Sequence, residues 1–208
     1  FAFNETQTTA FVASLSPDGA WQWAMQADNQ SGEVSVGADI AVDASDILHV
    51  TGHYSGTMYW GGEYLYNSAS TSNIFVAWMN PDGSVRQVKY LGGNQHDTAE
   101  AIAVDRAGNT YVTGQFYVGT QLGSFPFTAS GAQDVFAVKV APDTTVLQAF
   151  SGGGASNVVT HDSGYGIAAD PYQVMVVTGF YVEDGVFNGT TLPTAPYNGY
   201  TFVVTYTP

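Results

Sequence analysis

Apolar residues along this chain come in short runs broken by turn residues, and the clearest set lies between Ala101 and Ser151. Ala101-Ile-Ala-Val-Asp105 leads through Arg106-Ala-Gly-Asn109 into Thr110-Tyr-Val-Thr-Gly114. A Gly/Ser/Thr-rich connector follows, then Val135-Phe-Ala-Val-Lys-Val140, and Ala141-Pro-Asp-Thr144 turns the chain into Val146-Leu-Gln-Ala-Phe150. Alternating or β-branched runs bounded by turn residues predict four short strands, called a to d in order.

The same set recurs. Ala41-Val-Asp43, Ala103-Val-Asp105 and Ala168-Ala-Asp170 lie 62 and 65 residues apart, and Thr51-Gly52, Thr113-Gly114 and Thr178-Gly179 keep those offsets. A third marker occurs four times, at Phe11, Phe75, Phe136 and Phe202. A four-stranded unit of about 62 residues, repeated with small changes in loop length, predicts an all-β propeller built of blades. The expected division is a partial blade with strands c and d at 1–28, blades at 38–93 and 99–153, and a partial blade with a, b and c at 162–208. That makes about three full blades plus split terminal strands, thirteen strands in all, within a single domain at 1–208. Asp28 to Gly37 reads as a polar loop. Between c and d, Ser16-Pro-Asp-Gly19 and Asn80-Pro-Asp-Gly83 carry the chemistry of a type I turn followed by a left-handed residue. Ala141-Pro-Asp-Thr144 lacks the Gly, so a looser turn is expected there.

Incomplete terminal blades leave edges to pair. In a four-bladed ring, Trp21–Gln26 would complete the last sheet. Otherwise the ends, Phe1, Phe3, Phe11 and Val12 at one and Phe202, Val203 and Val204 at the other, would pair between copies, as filaments do or as a two-chain ring of six or seven blades would.

The run Ile102-Ala-Val-Asp105, Gly108-Asn109, Tyr111-Val-Thr-Gly114, Phe136 and Pro142-Asp143 resembles the SBBP-type β-propeller repeats of bacterial secreted and surface proteins. The resemblance is clearest from Ile102 to Asp143 and extends over nearly the whole chain. It implies an extracellular propeller module, often part of a larger adhesive or cell-surface assembly.

Charge narrows the partners. Four Lys plus Arg stand against 18 Asp plus Glu, a net charge of −14. Too few cations exist to replace phosphate counterions, so nucleic acid is excluded, and anionic membranes are disfavoured. Divalent cations suit the chain better. No Cys is present, and no apolar run approaches a membrane span. A chain opening at Phe1 rather than Met is expected to be processed or a piece of a longer protein.

Candidate chemistry is sparse. His96-Asp97 and His161-Asp162 each precede an Ile by six residues, and with Glu100 they could cluster for a calcium ion or a sugar. The competing reading makes each Asp a turn cap and each His exposed. His49 and His53 share one face of a strand, but their repeat equivalents are Tyr111 and Gln115, then Val176 and Phe180, so packing is expected. Asp43, Asp46, Asp105 and Asp170 fit turn capping rather than an EF-hand loop. Tyr54, Tyr59, Trp60, Tyr64 and Tyr66 would form either a sugar-stacking patch or inter-blade packing. Asn4, Asn29 and Asn188 open glycosylation acceptor patterns. No nucleophile elbow, phosphate loop or HExxH is present, so no catalytic residue and no cofactor beyond such a calcium is implied. The expectation is an extracellular, non-catalytic structural or adhesive protein that self-assembles, with further partners among glycans or cell-surface proteins. The rivals are a lectin-like or metal-dependent binding module and a propeller hydrolase or lyase.

Overall fold

The computed structural model describes residues 8–30, 32–67, 71–93, 95–155, 162–170 and 172–206, with the backbone alone at 196–198. Every regular element among them is a β-strand. The first sheet pairs β1 (Phe11–Leu15) with β2 (Trp21–Gln26). After the short β3 (Asp28–Asn29) comes a four-stranded sheet of β4 (Val34–Val42) and β5 (Leu48–Ser55), then, past the hairpin β6 (Thr57–Trp60) and β7 (Glu63–Tyr66), β8 (Ser72–Met79) and β9 (Val85–Leu91). The next sheet holds β10 (Asp97–Val104), β11 (Thr110–Leu122), β12 (Phe125–Val140) and β13 (Val146–Gly153). The last consists of β14 (Ser163–Ala169), β15 (Met175–Glu183) and β18 (Ala195–Tyr206), with β16 (Val186–Phe187) and β17 (Thr190–Thr191) inserted between the latter two. The strand order is the expected a-b-c-d, antiparallel throughout.

The recurring residues now have physical reasons. In each of the three a-strands one residue bulges out of register: Ala38, Glu100 and Tyr165. Opposite each bulge stands the Gly of a Thr-Gly pair. A Cβ on Gly52, Gly114 or Gly179 would lie 1.9–2.0 Å from the carbonyl oxygen of Val36, Thr98 or Ser163, so no larger residue fits. The adjoining Thr51, Thr113 and Thr178 donate their hydroxyls to the carbonyls of Phe75, Phe136 and Phe202 at 2.9, 2.6 and 2.8 Å. Two sequence markers are thus the two ends of one hydrogen bond between strands b and c. The Asp closing each a-strand caps the turn: Asp105 Oδ1 accepts from the backbone of Ala107 and Asn109, as Asp43 and Asp170 do in their own turns.

The third c–d turn is not looser. Thr144 takes φ 70° where Gly19 and Gly83 take 85° and 86°, and it keeps the turn bond to Ala141 O at 2.8 Å. The two-stranded register enforces the turn, and a β-branched residue absorbs the strain.

Strand c is the packing element. In β8, Phe75, Ala77 and Met79 face the core shared with the first sheet, whereas Ile74, Val76 and Trp78 face the core shared with the third. Both faces are covered, which is why this strand reads as a continuous apolar run. A third core joins Tyr111, Val135 and Ala137 to Val177, Phe187, Phe202 and Tyr206. Full burial of a side chain such as Phe75 or Phe136 contributes roughly 1.5–3 kcal/mol. Neighbouring blades meet along their inner strands, β4 and β5 against β10, and β10 and β11 against β14.

Two expectations are corrected. The polar segment 28–37 is not a loop, because Val34 begins strand a ahead of the bulge. The b–c connectors, left out of the strand count, extend as hairpin arms: β6–β7, the distal parts of β11 and β12, and β16–β17. Each arm reaches back to the end of the preceding d-strand, through β3–β6 and β13–β16 ladders and through the close approach of Gly93 to Thr120. No described sheet closes on another, and β2 does not enter the β14-β15-β18 sheet as the four-bladed ring required.

Candidate functional site

Of the His-Asp candidates, Asp97 and Asp162 lie where the arm of one blade meets the d–a connector. Asp97 is fully buried, and its Oδ2 accepts from Gly93 N and from Thr120 Oγ1, both at 2.8 Å. Burial pushes its carboxyl up to about 6 even though both donors favour the ionised form. Asp162 repeats the arrangement one blade on. Its oxygens accept from Gly154 N at 2.6 Å and from Val182 N at 2.9 Å. Burial again pushes it up to about 6, with Asp134 and Glu183 adding repulsion. Each carboxyl therefore clamps the connector to the arm, a reach across elements that the turn-cap reading did not include. Ser35 holds the equivalent place one repeat earlier, where its Oγ accepts from Ala10 N at 3.0 Å.

His96 points elsewhere. Its exposed ring accepts from Ser72 N at 3.2 Å and stands edge-on to Tyr117 at 5.9 Å. Glu100 is the bulge residue, half-buried and shifted upward by burial. Among the described residues no three His, Asp or Glu side chains converge as around a metal ion. His161 lies outside the described residues, as do Phe1, Phe3 and Asn4.

The aromatic cluster divides by face. Tyr54 and Trp60 are buried in the core between the first two blades. Tyr64 and Tyr66 are about 70% exposed on the outside of the β6–β7 arm, where Tyr59 and Tyr64 touch at 4.6 Å. Tyr66 also borders an open groove of about 820 Å³ that runs past Tyr90 and Gln121. His49 and His53 sit on strand b as packing residues, both held below the usual imidazole range by burial. Asn29 is buried, and its amide nitrogen donates to Thr8 O at 3.0 Å, which leaves no place for a glycan. Asn188 is exposed on the β16–β17 turn at φ 49°.

The terminal strands β1, β2 and β18 are charge-free and lie at sheet edges. Among the described residues β1 and β2 pair only with each other, and β18 pairs only with β15. Val12 and Phe202 are buried, Val204 packs partly against the third core, and Val203 on the free edge is 70% exposed. Phe11, Leu15 and Trp21, at 58%, 53% and 60%, are exposed apolar residues of the opposite end.

Antiparallel sheets in a-b-c-d order, packed along their inner strands and latched by arms, have the organisation of β-propeller repeats. In agreement, residues 88–115 match the model of the SBBP beta-propeller repeat family. The matched stretch runs from strand d of one blade through a and into b of the next, and so contains the Asp97 clamp, the Glu100 bulge and the Thr113-Gly114 pair. No curated protein matches the sequence.

Proposed function

We propose that this chain is an extracellular, non-catalytic structural module that associates with copies of itself through the open edges of its first and last blades. The observation that supports this most is the character of β18. It is an edge strand of twelve residues with no Lys, Arg, Asp or Glu, in a chain that carries 22 such residues elsewhere. Edge strands of solitary proteins are blunted by charge, most often Lys, because unpaired N–H and C=O groups otherwise template pairing. Here Val203 stands exposed on that edge, and Leu15 and Trp21 are exposed at the other end of the array. Among the described residues no strand pairs with the outer edge of β18, and a β1–β2 pair from a second copy would fit that position. Head-to-tail pairing of this kind propagates when its rotation does not close. The high negative charge keeps the lateral faces apart and confines contact to the neutral ends.

Light scattering behind size exclusion tests the reading. The native chain is expected to run well above 22.0 kDa with a mass that rises with concentration, and Val203→Lys to run as a monomer. A wild type that stays monomeric when concentrated, with its terminal strands still protected, would sink it.

A further inference from the structure

We propose that the cleft between the β4-β5-β8-β9 and β10-β11-β12-β13 blades, on the face opposite the arms, binds a sugar bearing an oxyanion, carboxylate or sulfate. The cleft encloses about 500 Å³ and is lined by His49, Trp78, Arg86, Gln87 and Arg106, with Ser45 at its rim. That volume suits one substituted sugar ring.

Charge placement carries the inference. The chain has four Lys plus Arg against 18 acidic residues, yet two of the four cations open into this one cleft. Among the described residues neither guanidinium has an ion-pair or hydrogen-bond partner. In so acidic a protein, two unpaired arginines facing one cavity form a local positive site, and planar guanidinium donors match carboxylate or sulfate oxygens in pairs. Asp43 is the one carboxylate in the lining, and it is engaged: Oδ1 accepts from Ser45 N and Ile47 N, and Oδ2 lies 3.3 Å from His49 Nε2. Thr110 Oγ1 fixes the other end of that ring at 2.8 Å and accepts the indole N–H of Trp78 at 3.1 Å. The floor is thus rigid and the cations remain available.

The next junction supplies an internal comparison. Register equates His49 with Tyr111, Trp78 with Lys139 and Arg86 with Leu147. There the chain's own side chains engage one another: Lys139 Nζ lies 5.5 Å above the Tyr111 ring and donates to Gln173 Oε1 at 2.5 Å. The cation at that junction is thus engaged by the chain's own groups, whereas Arg86 and Arg106 face the cleft. Gln87 and Ser45 beside the arginines offer an amide and a hydroxyl to ring hydroxyls, which selects a polyhydroxylated anion over a bare one. The net charge of −14 repels polyanions and favours a ligand with a single anionic group.

Titration followed by NMR, with the Trp78 indole N–H as reporter, tests this on the full chain with D-glucuronate, a 6-sulfated N-acetylglucosamine, glucose, inorganic sulfate and an acidic peptide. Saturable shifts with at least one acidic sugar are expected, weakening with salt, with glucose inert. The double variant Arg86→Gln/Arg106→Gln, whose changes are at exposed positions, should fold normally by circular dichroism and lose roughly tenfold or more in affinity. Uronate or sulfated sugar alone as ligand identifies which anion the site takes. Failure of both sugars, equal binding by the double variant, inorganic sulfate binding as tightly as the sugars, or tighter binding of the acidic peptide would each overturn the assignment.

Discussion

Replacing Asp97 by asparagine separates the clamp's hydrogen bonds from its charge. The substituted amide keeps an oxygen to accept from Gly93 N and Thr120 Oγ1, so the arm stays latched. What disappears is the burial of an ionisable group. In the fold this carboxyl is pushed up to about 6 from an ordinary 3.8, because the fully buried site has no solvent to stabilise the anion. A raised acid favours the fold when protonated. Its contribution is therefore complete below about pH 4 and is lost as pH climbs through about 6. A displacement of about two pH units corresponds to roughly 3 kcal/mol at neutral pH. Denaturant unfolding at a series of pH values should show the Asp97→Asn variant more stable than the wild type by up to that amount near pH 8. The gap should close toward pH 4. Other acids titrate in both proteins, so only the difference between them reports on Asp97. A variant that is less stable at every pH, by a constant amount, would refute the reasoning and make the carboxylate's charge a net stabiliser.

Two further substitutions probe the repeat geometry. Gly114→Ala places a methyl 2.0 Å from Thr98 O and 2.9 Å from Ala99 Cα, so thermal denaturation should register a loss of about 3 kcal/mol or more, and an unchanged midpoint would mean the bulge is not where we place it. Thr144→Gly relieves a β-branched residue at φ 70° and should raise stability by about 0.5–1 kcal/mol; a loss would show that the Thr side chain itself holds the turn.

Much of this fold was legible because its constraints are local and repeated. Thr113, Gly114 and Phe136 recur at fixed offsets since one hydroxyl–carbonyl bond and one steric exclusion recur in each blade. The arms escaped sequence reading for the opposite reason. Gly119, Thr120 and Gly123 look like connector residues, and only the partner strand 125–128 and the d-strand behind it make them a hairpin. Likewise, Asp97 read as part of a His-Asp pair because the two are adjacent in the chain, although one side chain enters the blade junction and the other faces Ser72 and Tyr117. Nothing in the spacing of Arg86 and Arg106 announces a shared cleft. They belong to different blades and meet only through packing.

The central claim, that the last blade's edge is a pairing surface rather than a finished border, is tested most directly by hydrogen exchange of the β18 amides at increasing protein concentration. Amides of β15, already laddered on both sides, should exchange slowly throughout. The outward amides of β18 should pass from fast to slow exchange as concentration rises. Outward amides that exchange at one fixed rate, whatever the concentration, would contradict the account.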